Sequence, residues 1–160
     1  MDKFEKLVDL IGDFDNAMLV TRTSEGELDA RPMAVAELEP DGDLWFVTDR
    51  NSGKVADLML DHEVAVTMQS SRKFVTLTAT AHLVDDRAKL EELWQEAWKV
   101  WFPQGKASNS IALLKVEPKR GEYWDNSGVQ AVKYLIEAGK AYLQGERAST
   151  DESINARVSM

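Results

Sequence analysis

Cysteine is absent from the 160-residue chain, and that absence removes several kinds of chemistry at once. Disulfides, thiolate metal sites, cysteine-ligated iron–sulfur clusters and a catalytic thiol are all excluded. Histidine is scarce as well: only His62 and His82 occur, far apart in the sequence and in no ligand-like spacing, so no metal site is expected. Positive charge is also in short supply. Nineteen Lys and Arg stand against 28 Asp and Glu, a net charge of -9 that disfavours non-specific attraction to nucleic acid or an anionic membrane. No long apolar run is present at the N-terminus, where MDKFEKLVDLIGDFDN carries acids throughout. Neither a signal peptide nor a membrane span is expected there, and a cytoplasmic protein is the simplest reading.

What remains is an ordinary globular composition, 44% hydrophobic and 29% charged. The length suits one domain with a proper core. Phe4, Leu7, Val8, Leu10 and Ile11 recur at helical spacing and predict a first helix that stops at Gly12. Strands are predicted over 17–23, 28–38 and 44–48, joined by turns at Ser24–Glu27 and at Pro40-Asp41-Gly42. Pro32 interrupts the second strand and predicts an edge or a bulge, because proline cannot donate to the ladder. A short helix follows Ser52, marked by Val55, Leu58 and Met59. Further strands are expected where Val64, Val66 and Met68 alternate, over 74–84, and over 111–116 continuing past Pro118 and Gly121 into Glu122-Tyr123-Trp124. A helix is predicted from Asp86 to Trp101, with Leu90, Leu93, Trp94, Ala97 and Trp101 on its inner face, ended by Phe102-Pro103-Gln104-Gly105. Val129, Val132, Ile136 and Leu143 mark a last helix. Residues 1–144 read as a single domain and 145–160 as a loose tail. Six short strands with tight turns and few helices argue for a mainly β fold, an antiparallel barrel with flanking helices.

Two stretches could carry a ligand. In Val47-Thr48-Asp49-Arg50-Asn51-Ser52-Gly53-Lys54 a strand ends and a helix begins with lysine in its first turn. Free N–H groups and the positive end of the helix dipole suit a phosphate there. A plain strand–turn–helix connection capped by Ser52 or Asn51, with Lys54 in solvent, is the commoner origin of such a pattern. Arg31-Pro32-Met33 could aim a guanidinium and freed backbone groups at a ligand, or could equally protect an edge strand from aggregation. The five tryptophans default to packing roles: Trp94 and Trp101 in the core, Trp98 off that stripe and free for a partner subunit. Trp124, at a strand end, suits stacking on a ligand or packing in an interface. No serine–histidine–acid arrangement is recognisable, so redox chemistry, if present, must come from a cofactor.

The order Leu28-Asp29-Ala30-Arg31-Pro32-Met33, then Leu44-Trp45-Phe46-Val47-Thr48-Asp49, then Ser52-Gly53-Lys54, resembles the pyridoxamine 5′-phosphate oxidase-like superfamily. Trp101-Phe102-Pro103-Gln104-Gly105 with Tyr123-Trp124-Asp125 is similar to its general stress protein 26 branch. The resemblance implies a six-stranded FMN-binding split β-barrel, a homodimer, and a flavin (FMN, with FAD as the alternative) at the subunit interface. It places Arg31, Pro32, Met33 and Ala34 beside the isoalloxazine ring. Val47, Thr48, Asp49, Ser52 and Lys54 fall around the ribityl phosphate, and Trp101, Phe102 and Trp124 shape the site from the neighbouring subunit or its rim. The second phosphate site and arginine-rich end of true pyridoxamine phosphate oxidases are not recognisable, so that activity is not expected. What the resemblance implies is a flavin-binding stress protein, either a flavin-dependent oxidoreductase or a non-enzymatic flavin carrier or sensor. A structural dimer without ligand is the third reading.

Overall fold

The computed structural model describes residues 1–149 and 151–160. Its seven strands are β1 (Asn16–Arg22), β2 (Leu28–Leu38), β3 (Leu44–Asp49), β4 (Glu63–Gln69), β5 (Lys73–Val84), β6 (Ile111–Asp125) and β7 (Asn155–Ser159). All pairings are antiparallel, in the order β3-β2-β1-β4-β5-β6-β7, and a further pairing of β3 with β6 closes the first six into a barrel. Period-two alternation turns Val64, Val66 and Met68 of β4, and Val75, Leu77, Ala79 and Ala81 of β5, into the interior. Leu44 and Phe46 of β3 join them. Positive φ at Gly26 and Gly42 makes the two hairpin turns that join β1 to β2 and β2 to β3.

Helix α1 (Lys3–Gly12) starts with a capping box, in which Asp2 accepts from the Glu5 N–H and Glu5 accepts from the Asp2 N–H. Its Leu7, Leu10 and Ile11 enter the barrel core. Gly12 is the last helical residue rather than the stop beyond it, and Asp13 is the cap. Helix α2 (Gly53–Leu60) packs Val55 and Leu58 inward. Helix α4 (Gly128–Gln144) buries Ala141 but leaves Val129, Val132, Leu135, Ile136, Tyr142 and Leu143 exposed. Among the described residues no helix is long and apolar enough to cross a membrane.

Three expectations are corrected. The single helix over 86–101 is broken: α3 (Arg87–Leu93) ends at an extended Trp94, and a 3₁₀ turn (Glu96–Val100) follows. The break lets Trp98, not Trp101, turn inward, where it meets Trp94 edge-on at 5.7 Å and joins a second cluster with Trp45, Leu90, Phe102, Ile111 and Leu113. Trp98 is therefore 6% exposed and Trp101 66%, the reverse of the helical reading. The bulge, one of the two alternatives expected for Pro32, is instead at Ala36, between Val35 and Glu37, and the edge alternative holds. Pro32 sits in register opposite Met18 of β1. The Val35 N–H points towards β1, donating to Asp15 O at 2.9 Å, so by alternation the nitrogen of Pro32 faces the other edge, where pairing with β3 begins only at Val35. No ladder bond is lost. Finally, the end of the chain is not a loose tail: β7 adds to the second half of β6 and buries Ile154, Ala156 and Val158. Thr150, within that stretch, lies outside the described residues.

Candidate functional site

The unpaired edge of β2, the end of β3, the start of α2 and the 3₁₀ turn surround one cleft of ≈ 800 Å³. That size lies within the range of about 300–1,000 Å³ usual for small-molecule sites. Pro32, Met33 and Ala34 line it from β2, Val47, Thr48 and Asp49 from β3, Lys54 from α2, and Trp101 and Phe102 from beyond the 3₁₀ turn. Nine of the twelve residues expected at a ligand are thus brought together. The even-numbered residues of β2 turn their backbone nitrogens away from β1, so the Ala34 N–H faces the edge of β2 that β3 leaves open. An open strand edge of this kind offers hydrogen bonds to the rim of a flat heterocycle.

Three expected residues are not among those lining the cleft. Arg31 reaches across β1, donating to Thr21 Oγ1 at 2.7 Å and Leu19 O at 3.3 Å, with Asp57 and Asp29 at 3.9 Å. Ser52 is the N-cap residue of α2 but makes no side-chain cap; its hydroxyl accepts from Lys54 instead. Trp124 pairs with Phe74 of β5 and Asn155 of β7, away from the cleft lining. Sequence reasoning missed Asn16, Trp98 and Val100 as lining residues. Asn16 stands opposite Ala34 in the β1–β2 ladder, a pairing that the hairpin turn at Gly26 fixes. Trp98 and Val100 arrive only because the helix breaks.

Lys54 is the electrostatic centre of the cleft. Its ammonium donates to Thr48 Oγ1 at 2.8 Å and Ser52 Oγ at 2.9 Å, both neutral acceptors. Among the described residues no carboxylate lies within 4.0 Å of it. Burial pushes its pKa down and the nearby Arg31 charge pushes it further, against a smaller opposing pull from Asp49. Asp49 is occupied in the turn, accepting from the Asn51 N–H at 2.8 Å. A half-buried cation with no carboxylate within 4.0 Å among the described residues, next to two hydroxyls, has the chemistry to receive an anion. Apart from Asn16, the remaining walls are apolar, with Met33, Val47, Trp98, Val100 and Phe102 among them.

The two histidines do meet in space, ring centroids 4.9 Å apart, with His62 Nδ1 3.2 Å from Ala81 O and His82 Nε2 3.8 Å from Glu117. The carboxylates of Glu39, Asp41 and Asp43 also converge, but Lys115 lies 2.9 Å from Asp43 and 3.9 Å from Glu39.

Comparison with known proteins places this geometry. Residues 2–149 match the family model described as pyridoxamine 5′-phosphate oxidase like. The protein bli-3 of Neurospora crassa is 34% identical over 90 residues, 54% of this chain and 43% of that protein, so the chain spans under half the length of the curated relative it matches. A general stress protein 26 from Jannaschia sp. CCS1 superposes with a TM-score of 0.70 at 24% identity, covering 97% of this chain and 96% of that one. The Bacillus anthracis general stress protein 26 gives 0.69 at 21% identity over 77% and 94% of the two chains. A general stress FMN/FAD binding protein from Xanthomonas citri gives 0.66 at 25% identity over 78% and 89%. The closed six-stranded barrel agrees with these neighbours, and the match over nearly the whole chain settles the assignment: this protein belongs to the pyridoxamine 5′-phosphate oxidase-like family.

Proposed function

We propose that the protein is a homodimeric, cytoplasmic flavin-binding protein of the general stress type, holding FMN, or the FMN half of FAD, in the cleft between β2, β3 and α2. The observation that carries this reading is Lys54: a partly buried ammonium with hydroxyl neighbours and, among the described residues, no carboxylate within 4.0 Å, at one end of a largely apolar cleft. The residues fit a phosphorylated flat ring. Lys54, Thr48 and Ser52 would hold the phosphate by charge-assisted and neutral hydrogen bonds, and Arg31 behind them adds positive potential. Pro32, Met33 and Ala34 would flank the ring, with the open edge of β2 supplying backbone partners for its polar rim. Val47, Trp98 and Phe102 would exclude water from its faces.

A bound flavin would supply hydride or electron transfer. Among the described residues Asp49 and Lys54 are the only ionisable groups lining the cleft, both at its phosphate end, so none of these residues offers an acid or base at the ring. Loaded protein that consumes reduced nicotinamide would be an oxidoreductase; loaded protein that does not would be a carrier or sensor. The dimer reading is supported by apolar surface left in water by a single chain, on the cleft rim at Val100 and Trp101 and along α4. Sedimentation at twice the chain mass is expected, and a monomer at micromolar concentration contradicts it. Fluorescence titration with FMN tests the main reading. Saturable one-to-one quenching is expected, and no quenching at millimolar protein would overturn it.

A further inference from the structure

A second groove of ≈ 570 Å³ adjoins the first cleft, and the two share a wall. Trp101 and Phe102 line both. The turn after β3 divides between them: Asp49 faces the first cleft, Arg50 and Asn51 the second. The groove therefore opens from the Thr48–Lys54 end, and none of Pro32, Met33 or Ala34 lines it. A molecule that must stack on a ring held by β2 would have to enter at the opposite end. What reaches this groove must continue past the phosphate.

The groove is built rather than incidental. The Arg50 N–H donates to Ser110 O at 2.7 Å, tying the 105–110 loop to the end of β3. Arg87 pins the same loop by donating to Lys106 O at 2.8 Å and Ser108 O at 3.4 Å. In a chain with net charge -9, no acid among the described residues lines this groove. Its side chains are one guanidinium, amides of Asn51, Gln104 and Asn109, serine hydroxyls and an exposed indole. Arg50 is paired with Asp85 on the surface, which engages two of its five N–H donors and leaves the others for a ligand. An indole face, several amides and a cation are the complement of a purine nucleoside carrying a phosphate.

We propose that this groove is the subsite for the adenosine and second phosphate of a flavin adenine dinucleotide, so that the protein prefers the dinucleotide to FMN. The second phosphate meets Arg50, the purine stacks on Trp101, and Asn109 and Gln104 take its polar edge. The inference rests on the flavin reading of the first cleft, and its test separates the two. Flavin-free protein is titrated with FMN and with FAD, alongside Arg50→Ala and Asn109→Asp. Wild type is expected to bind FAD about tenfold more tightly than FMN. Arg50→Ala lowers FAD affinity to the FMN value and leaves FMN affinity unchanged; Asn109→Asp, which adds a negative charge without cutting the Arg50–Asp85 pair, does the same. If FMN binds and FAD binds no better, or if both variants weaken the two flavins equally, the subsite is overturned while the first cleft stands. If neither flavin binds, both readings fall together.

Discussion

Thr48, a buried residue at the end of β3, holds the ammonium of Lys54 at 2.8 Å across the start of α2. Strand and helix thus meet through a cation that has no carboxylate within 4.0 Å among the described residues. Burial disfavours its charge and Arg31 repels it, and a bound anion would offset both.

The pH dependence of binding follows from that sign. Because the folded pKa of Lys54 lies below the ordinary lysine value, the empty folded protein binds fewer protons than the unfolded chain in the alkaline range. Stability of the flavin-free protein should therefore rise as pH climbs from the lowered value to the ordinary one. Phosphate binding needs the charged form, so FMN affinity should be flat near neutrality and fall across the same window. Lys54→Ala should show no such fall. Titrations across the alkaline range check this.

An ion pair between α1 and the end of β6 anchors the fold. Asp125, with a side chain only 3% exposed, lies 2.5 Å from Lys6 Nζ and accepts from Ser127 at the entry to α4. Burial raises its pKa, but Lys6 and the two Ser127 donors more than offset that and hold the carboxyl below the usual range. The stability it contributes is present above about pH 4 and is lost as pH falls through the lowered value. Asp125→Ala should cost on the order of 3 kcal/mol at neutral pH, since it leaves Lys6 without its partner. Urea unfolding at neutral and acid pH measures both effects.

Gly121 lies under α1, where a Cβ would come 2.4 Å from Leu7 Cδ2 and 3.0 Å from Leu77 Cδ2. Both leucines are buried in the barrel core, so making space for the methyl means repacking it. Gly121→Ala should destabilise the protein by about 1–3 kcal/mol. Combined with Leu7→Ala, the two changes should cost less than their sum, because the new methyl enters the space that Leu7 vacates. A double-mutant cycle by chemical denaturation decides it.

The barrel was legible because its strands alternate apolar and polar residues and its turns carry glycine where φ is positive. The third strand, apolar almost throughout, reads as covered on both faces, and it is: Leu44 and Phe46 face the barrel, while Trp45 faces the second cluster. The 86–101 segment misled because its apolar residues fit a 3.6-residue period, whereas Trp98 is seated by contacts with β3 and β6 that no local pattern contains. The last strand did carry a signal, the alternation of Ile154, Ala156, Val158 and Met160 in an otherwise polar stretch. Its partner, β6, lies some thirty residues upstream, and a strand that short gains stability only from the edge it joins. In the site, the residues of one hairpin and the following helix were readable together. Arg31 was not, because a long side chain can cross to the neighbouring strand, and here it does.

The central claim is that Lys54 binds the phosphate of a flavin, and comparing FMN with riboflavin, which lacks that phosphate, tests it most directly. Wild type should bind FMN well above riboflavin. Lys54→Ala should lose roughly ten- to a hundredfold in FMN affinity, the loss of about 1.5–3 kcal/mol expected for a hydrogen bond to a charged group, while riboflavin affinity stays as it was. Equal weakening of both ligands, or no change in FMN affinity, would contradict the account.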